Sequence, residues 1–393
     1  MNNQKQSHSS KQIAHSAQSG FSLIELMVAI TISLLILIAM ITVYVNLSRS
    51  NNEMAKTNIQ IENGRFAMQL LQNDISHAGY WGGYVPQFDD LSSTADPALA
   101  SAGGTVPTAI PDPCLEYTAA NWTETYKNNL LGIPVQGYDD VPAGCAALIT
   151  NKKANTDVLV LRHADNCVAG AANCEPFTSG KLYLQSTNCA TETGTPYVLD
   201  TTGHTLHNKD CTTVAAKRKF ISSIYYIRDY AVTSGDNIPT LMRSRFELSS
   251  DSPPVLKHLD ATPLIEGIEG FRVEFGIDNK SDTGANTDYT VKVAWADNTN
   301  LISPTNRGDG IPDGAFIRCT TASPCTADQM ANAVAAKVYV LARSLEASPG
   351  HLDGKKYQLG SAAEIAPFND AYKRHVFSTT VRLTNVSGRR ETP

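Results

Sequence analysis

Gly20-Phe21-Ser22-Leu23-Ile24-Glu25 opens the stretch from which the rest of the chain is read. From Leu26 to Ser48 no residue is charged, and most are Leu, Ile, Val, Met or Ala. A hydrocarbon core about 30 Å thick is crossed by roughly 20 such residues in a helix, so this run predicts a membrane span. Glu25 interrupts it at its start. On insertion scales a carboxylate inside a span costs on the order of 2.5–3.5 kcal/mol, and such groups usually have a task and a partner. If the chain is cut after Gly20, Phe21 carries a new amino terminus four residues from Glu25. In a bundle of such helices, the carboxylate of one copy can then neutralise the ammonium of its neighbour. An ordinary secretory signal fits less well. The residues near Glu25 are too bulky for a small-residue cleavage site, and the apolar run is too long for an h-region.

On the near side, residues 1–20 are polar, with Lys5 and Lys11 their only charges. A basic leader stays cytoplasmic, which puts the remainder across the membrane. On the far side the pattern changes without stopping. Met54, Ile61, Met68 and Ile75 fall seven apart, with Ala67, Leu71 and Ala78 beside them, as on one face of a helix. From Phe21 to Ala78 there is no proline and one glycine, Gly64. One continuous helix over 21–78 follows, about 85 Å long at 1.5 Å per residue. Its part 21–48 is apolar and its part 49–78 amphipathic. Arg65 and Asp74 are expected on the polar side, and Phe66, Leu70 and Leu71 toward a globular head. Gly79-Tyr80-Trp81-Gly82-Gly83 reads as the helix stop, with its aromatics in the core.

The remaining residues, 79–393, read as a β-rich head. Composition is globular, with 42% hydrophobic and 18% charged residues, and 393 residues suffice for two or three average domains. Residues 84–150 are rich in Pro, Ala, Ser, Asp and Gly, most of all between Leu91 and Pro113, and are expected as a long surface excursion. Strands are expected at 157–162, 181–185, 220–230, 241–248, 270–276, 289–295, 337–344 and 375–384. Thr326 with Gln329 forms a capping box for a short helix through Val334. All eight cysteines lie beyond the span: Cys114, Cys145, Cys167, Cys174, Cys189, Cys211, Cys319 and Cys325. An even number past an export segment predicts disulfides in an oxidising compartment. Eight cysteines allow 105 pairings. Pairing sequence neighbours closes the cheapest loops and leaves Cys114 with Cys145.

Gly-Phe-Ser-Leu-Ile-Glu before a charge-free helix resembles the class III signal of type IV pilins and type II secretion pseudopilins. Other stretches resemble PilW-type minor pilins, and more loosely the related J-type pseudopilins. They are Gly64-Arg65-Phe66-Ala67, Leu70-Leu71, Asp74-Ile75 and Ala78 to Gly82, then Leu264 to Ile268 leading to Phe275-Gly276-Ile277-Asp278, Val338 to Ser344 and Phe377 to Leu383. The resemblance implies an α+β pilin-like fold, with the N-terminal helix packed on an antiparallel-sheet head bearing long disulfide-bonded loops. It implies that a prepilin peptidase cuts between Gly20 and Phe21 and N-methylates Phe21, and that Glu25 guides docking into a filament. It further implies a minor pilin at or near the pilus tip that primes assembly, with twitching, adhesion and DNA uptake following from the pili. The implied partners are other minor and major pilins, the peptidase, the inner-membrane assembly machinery and a large tip adhesin. The chain would sit in the inner membrane with a single span and a periplasmic head, then at the cell surface in the pilus. A pseudopilin of type II secretion is the neighbouring alternative. A membrane-anchored enzyme or calcium-binding receptor is the alternative from another class.

Other chemistry is sparse. Asp278, Asp282, Asn286 and Asp288 alternate with small residues as ligands of a hard cation do, but Lys280 and the lack of a closing Glu break the EF-hand pattern. Asp309 and Asp313 bracket a single Asp-Gly-Ile-Pro-Asp turn, which turn chemistry alone explains. Calcium is thus the one candidate ion, and no cofactor is otherwise expected. His204, His207 and Cys211 have ligand-like spacing in a turn-rich setting, with Cys211 expected in a disulfide. No nucleophile elbow, zinc-protease motif or P-loop occurs, so no enzyme is expected. A net charge of -6, with Lys152-Lys153 and Arg389-Arg390 as isolated pairs on loops and termini, argues against nucleic-acid binding.

Overall fold

The computed structural model describes residues 20–92 and 105–391. The chain forms two compact units, one ending at Ala55 and one running from Lys56 onward. Helix α1, Leu23–His77, runs 55 residues without interruption. In the second unit its buried positions are Gln60, Gly64, Ala67, Met68, Leu71 and Ile75. These steps of three and four keep one face of a 3.6-residue helix on the core. Buried Gln60 donates to the Ala342 carbonyl at 2.8 Å, which satisfies an amide that would otherwise be costly there. Gly64 is set by contact: a Cβ there would lie 2.2 Å from the Phe377 ring. The helix stops where expected. Gly79 takes a φ of +77° and its N–H donates to the Arg162 carbonyl at 3.0 Å.

The seven-residue stripe is only half of that face. Met68 and Ile75 are buried, while Met54 and Ile61 are exposed. Phe66, expected toward the head, is also exposed. Asp74 departs the other way. It is partly buried, accepts from the Tyr225 hydroxyl at 2.7 Å and lies 3.5 Å from His163 Nε2. Burial raises its carboxyl, but the hydrogen bonds from His163 and Tyr225 outweigh that and hold it below the ordinary value.

After a short 3-10 turn at Gln87–Asp89 come α2 (Glu124–Gly132), β1 (Val135–Tyr138), β2 (Val158–Ala164), β3 (Tyr183–Ser186) and β4 (Tyr197–Asp200). Then follow β5 (Arg218–Arg228), β6 (Thr240–Leu248), β7 (Leu256–His258), β8 (Thr262–Glu266) and β9 (Ile268–Ile277). The chain closes with β10 (Trp295–Asp297), β11 (Ile302–Pro304), α3 (Ala327–Ala331), β12 (Ala333–Arg343), β13 (Arg374–Arg382) and α4 (Thr384–Ser387). Every strand pairing is antiparallel. An eight-stranded sheet runs β1-β2-β5-β3-β4, with β6 also on β5 and both β7 and β8 on β6. A three-stranded sheet runs β13-β12-β9, and β10 pairs with β11. The main core joins the buried face of α1 to residues of β2, β5, β9 and β12. The fold is α+β.

The described residues of 84–150 are not the surface excursion expected of them. They supply α2 and β1, and Trp122, Leu130, Leu131 and Ile133 are buried. Trp122 packs edge-on against Tyr117 and Phe220, a scattered aromatic core that leaves no periodic trace in sequence. Of the run from Leu91 to Pro113, residues 93–104 lie outside the described residues. Tyr289–Trp295 is not a strand either. Buried Tyr289 meets Phe88 edge-on and donates to Asn332 Oδ1 at 2.6 Å, and only Trp295 enters a strand. The capping box at Thr326 and Gln329 forms, but α3 ends at Ala331, and β12 begins four residues before the expected start.

Candidate functional site

Gly20 and Phe21 precede α1 and Glu25 lies in its first turn, and the chain leaves all three open to solvent. No atom lies within 4 Å of a Cβ built on Gly20, and Phe21 is 89% exposed. A protease needs such a peptide bond: accessible, and in irregular backbone just before a helix. Glu25 has a local partner that the sequence reading missed. Its Oε2 accepts from the Ser22 N–H and the Ser22 hydroxyl, each at 2.9 Å, and its own N–H donates back to Ser22 Oγ at 3.3 Å. This is a reciprocal capping box, and its signal, Ser followed three residues later by Glu, was in plain view. The carboxylate thus caps two donors at the positive end of its own helix. It is placed four residues from the amino terminus that cleavage after Gly20 would create.

From Leu26 to Leu47 the helix presents a mostly apolar surface. Residues 20–52 are all exposed, including every Leu, Ile, Val and Met from Leu23 to Leu47. Three hydroxyls turn inward. Thr31 donates to the Met27 and Val28 carbonyls, Ser33 to Ala29 and Thr42 to Ile38, at 2.7–3.0 Å. Back-bonding of this kind satisfies polar groups within a single helix, as hydrocarbon requires. By length and composition the helix can cross a membrane.

The structure does not bring the other candidates together as a site. Asp278 is fully buried, 3.1 Å from Arg390, and accepts from the Gly310 N–H at 2.8 Å. Asp282 accepts from Ser303, Asp309 from the Ile311 N–H, and Asp313 from the Asn279 and Lys280 N–H groups. Among the described residues, no group of three or more His, Cys, Asp or Glu is placed to hold a metal ion. His207 bonds Glu192 at 2.7 Å and His204 the Tyr183 carbonyl at 3.2 Å, while Cys211 is bonded to Cys189. The cysteines pair as Cys114–Cys145, Cys167–Cys174, Cys189–Cys211 and Cys319–Cys325, with Cα–Cα distances of 5.0–5.5 Å. Arg389-Arg390 is not a solvated pair. The Arg390 side chain is fully buried, and both arginines bond Asp89. The Lys152 side chain is also buried, 3.8 Å from Asp140.

Two families match the sequence. Residues 15–41 match the prokaryotic N-terminal methylation motif, and residues 224–385, from within β5 into α4, match type IV pilus-assembly protein W. No curated protein matches the chain. Among solved structures, a type IV-like pilin from Thermus thermophilus aligns at 12% identity over 53% of this chain and 87% of its own. Its TM-score of 0.20 is too low to carry an argument. The N-terminus thus presents an exposed start at Gly20 and Phe21, a capped Glu25 and a helix uncharged from Leu26 to Ser48. The chain carries a prokaryotic N-terminal methylation motif near its start and, across much of its head, a region similar to type IV pilus-assembly protein W.

Proposed function

We propose that this chain is a minor pilin that acts at or near the tip of a type IV pilus to prime assembly. Residues 1–20 form a leader that the prepilin peptidase removes, and Phe21 is then N-methylated. Residues 21–48 hold the subunit in the inner membrane with the head, 79–393, in the periplasm, until the helix slides into the filament. Glu25 there meets the Phe21 ammonium of a neighbouring subunit. The partners are other minor and major pilins, the assembly machinery and a large tip adhesin. Twitching, adhesion and DNA uptake follow from the pili. The supporting observation is a capped carboxylate opening an exposed helix that is otherwise uncharged as far as Ser48. Leaving water for lipid or for like helices is the cheapest fate for that surface, at about 25 cal/mol per Å² of apolar area.

The test is Glu25→Ala in the native host. Mass spectrometry should show normal cleavage and a methylated Phe21, while the subunit disappears from sheared pili. Normal incorporation of the variant defeats the pairing, and an unprocessed or unmethylated start defeats the assignment. A deletion strain that keeps twitching but loses protein secretion places the chain in a type II pseudopilus instead.

A further inference from the structure

β13 is the last strand of the three-stranded sheet. One edge pairs with β12, and among the described residues no strand pairs with the other. Its register on β12 is unbroken, and just past the two ends the Leu383 N–H donates to the Val334 carbonyl and the Ser344 N–H to that of Lys373. The odd-numbered residues of β13 therefore bond β12, and Val376, Ser378 and Thr380 turn their N–H and C=O outward. Among the described residues no hydrogen bond reaches those groups. Ser378 and Thr380 are exposed, and Val376, Phe377 and Thr379 are only half-buried. Bare edges are usually blunted by proline, by bulges or by brevity. β8 holds Pro263 and a register shift, whereas β13 has nine residues, four of them β-branched, and no proline or glycine. Helix α1 flanks this edge. Phe377, on the inner face of β13, lies against Gly64. Asn63 donates to the Glu266 carbonyl at 3.1 Å, two residues before β9 at the opposite side of the sheet. At about 100° per residue, Ile61 and Arg65 each lie roughly 160° round the helix from Asn63, on the side of β13. Ile61 is 39% exposed and Arg65 is exposed, with no carboxylate in ion-pair reach of Arg65 among the described residues.

We propose that the outer edge of β13 takes an extended segment of a partner protein as a fourth strand, bonded through its backbone. The segment sets an apolar side chain against Ile61 and Phe377, and an acidic one two positions away, on the same face, meets Arg65. Ile61 and Arg65 are about 6 Å apart along the helix, close to the roughly 6.7 Å that two residues of a strand span. Other cations nearby are already matched: Arg382 bridges Glu391, and Lys337 lies across from Glu274 on β9. Arg65 is therefore the charge left for the partner. The β13 of a second copy offers two arginines, a histidine and no carboxylate, so self-pairing leaves Arg65 unmet. The inference stands on the unit from Lys56 onward and does not depend on the pilus assignment.

The test uses the full chain in detergent micelles and three fluorescein-labelled heptapeptides, read by anisotropy. The first has the core Glu-Thr-Phe-Thr-Glu, which presents an acid on either side of the apolar residue whichever way the strand runs. In the second both acids are lysine, and in the third the phenylalanine is serine. The first peptide should bind saturably, about ten-fold tighter or more than either control, and should weaken as salt rises. Ser378→Pro removes an outward N–H without touching the bonds to β12, as edge strands tolerate, and should abolish binding with the urea midpoint unchanged. Arg65→Glu, on an exposed helix position away from the strand, should reverse the preference toward the lysine peptide. Equal binding of the three peptides, indifference to Arg65→Glu or to a folded Ser378→Pro variant, or no saturable binding of the first peptide up to about 1 mM overturns the proposal. So does a dimer of the chain that Ser378→Pro dissolves, which would make a second copy the occupant.

Discussion

Arg390 carries its guanidinium into the protein and bridges three segments that are far apart in sequence. Nε bonds Asp89 at 2.6 Å, one terminal nitrogen lies 3.1 Å from Asp278, and the other donates to the Ala331 carbonyl at 3.0 Å. Both carboxylates are buried too, so removing the cation leaves negative charge without an equal counter-charge in a poorly solvating interior. Arg390→Met should cost about 3–5 kcal/mol. Arg390→Lys should also fall well short of wild type, because one ammonium cannot reproduce a planar fork aimed at three acceptors. Urea denaturation of the disulfide-intact protein measures both, and a loss under about 1 kcal/mol for the Met variant refutes the bridge. His258 sets a second residue-scale effect. It is buried between the Ser222 and Ser244 hydroxyls at 3.1 Å each, and burial first, then the charge of Arg162, push it down to about 3. In the unfolded chain it titrates near the ordinary histidine value, so the unfolded state binds the extra proton between that value and about 3. Stability is therefore lost as pH falls through about 6.5, by roughly 3 kcal/mol at pH 4 from this residue. His258→Gln should remove that share of the acid sensitivity, seen as a smaller shift of the urea midpoint between pH 7 and pH 4.5. An unchanged shift rules it out.

At the scale of elements, the contact of α1 with β13 is the tightest test of the packing. Gly64 leaves no room for a methyl group against Phe377, so Gly64→Ala should cost roughly 1–3 kcal/mol through overpacking. Shrinking the ring relieves the clash, and Gly64→Ala with Phe377→Leu should be less destabilising than the sum of the two by at least about 0.5 kcal/mol. Strict additivity would mean the two do not touch. Sequence alone located α1 within two residues at its start, because a run without proline or charge has few other readings. It misjudged the buried face, since sevenfold spacing marks a stripe but not which end of it a sheet will cover. The long strands β2, β5, β6, β9, β12 and β13 were legible from their β-branched and aromatic content. β4, β7, β8 and β11 have three to five residues each, too few for a period to show. The role of Arg389 and Arg390 was illegible for another reason. Nothing near them distinguishes a solvated pair from a buried one, and their partner Asp89 lies about 300 positions away.

In the molecule as a whole, cohesion and anchoring use different residues. Every buried position of α1 lies at or beyond Gln60, and all four disulfides lie beyond residue 113. The apolar half contributes no buried residue among those described, so the head should not need it in order to fold. That separation supports a direct test of what the N-terminal half is for. Replacing residues 21–48 with an unrelated uncharged span of equal length, behind an ordinary signal anchor, should leave the head with four intact disulfides and an unchanged urea midpoint. A packing role for the lost segment means that the chimera stays in the membrane and never enters a filament, since it lacks both Phe21 and Glu25. An anchored enzyme or receptor would keep working from the foreign span, because a head that acts alone needs only to be tethered. Fractionating membranes from sheared pili in a complemented deletion strain separates the two. Pili restored to normal by the chimera would reduce the native helix to a tether.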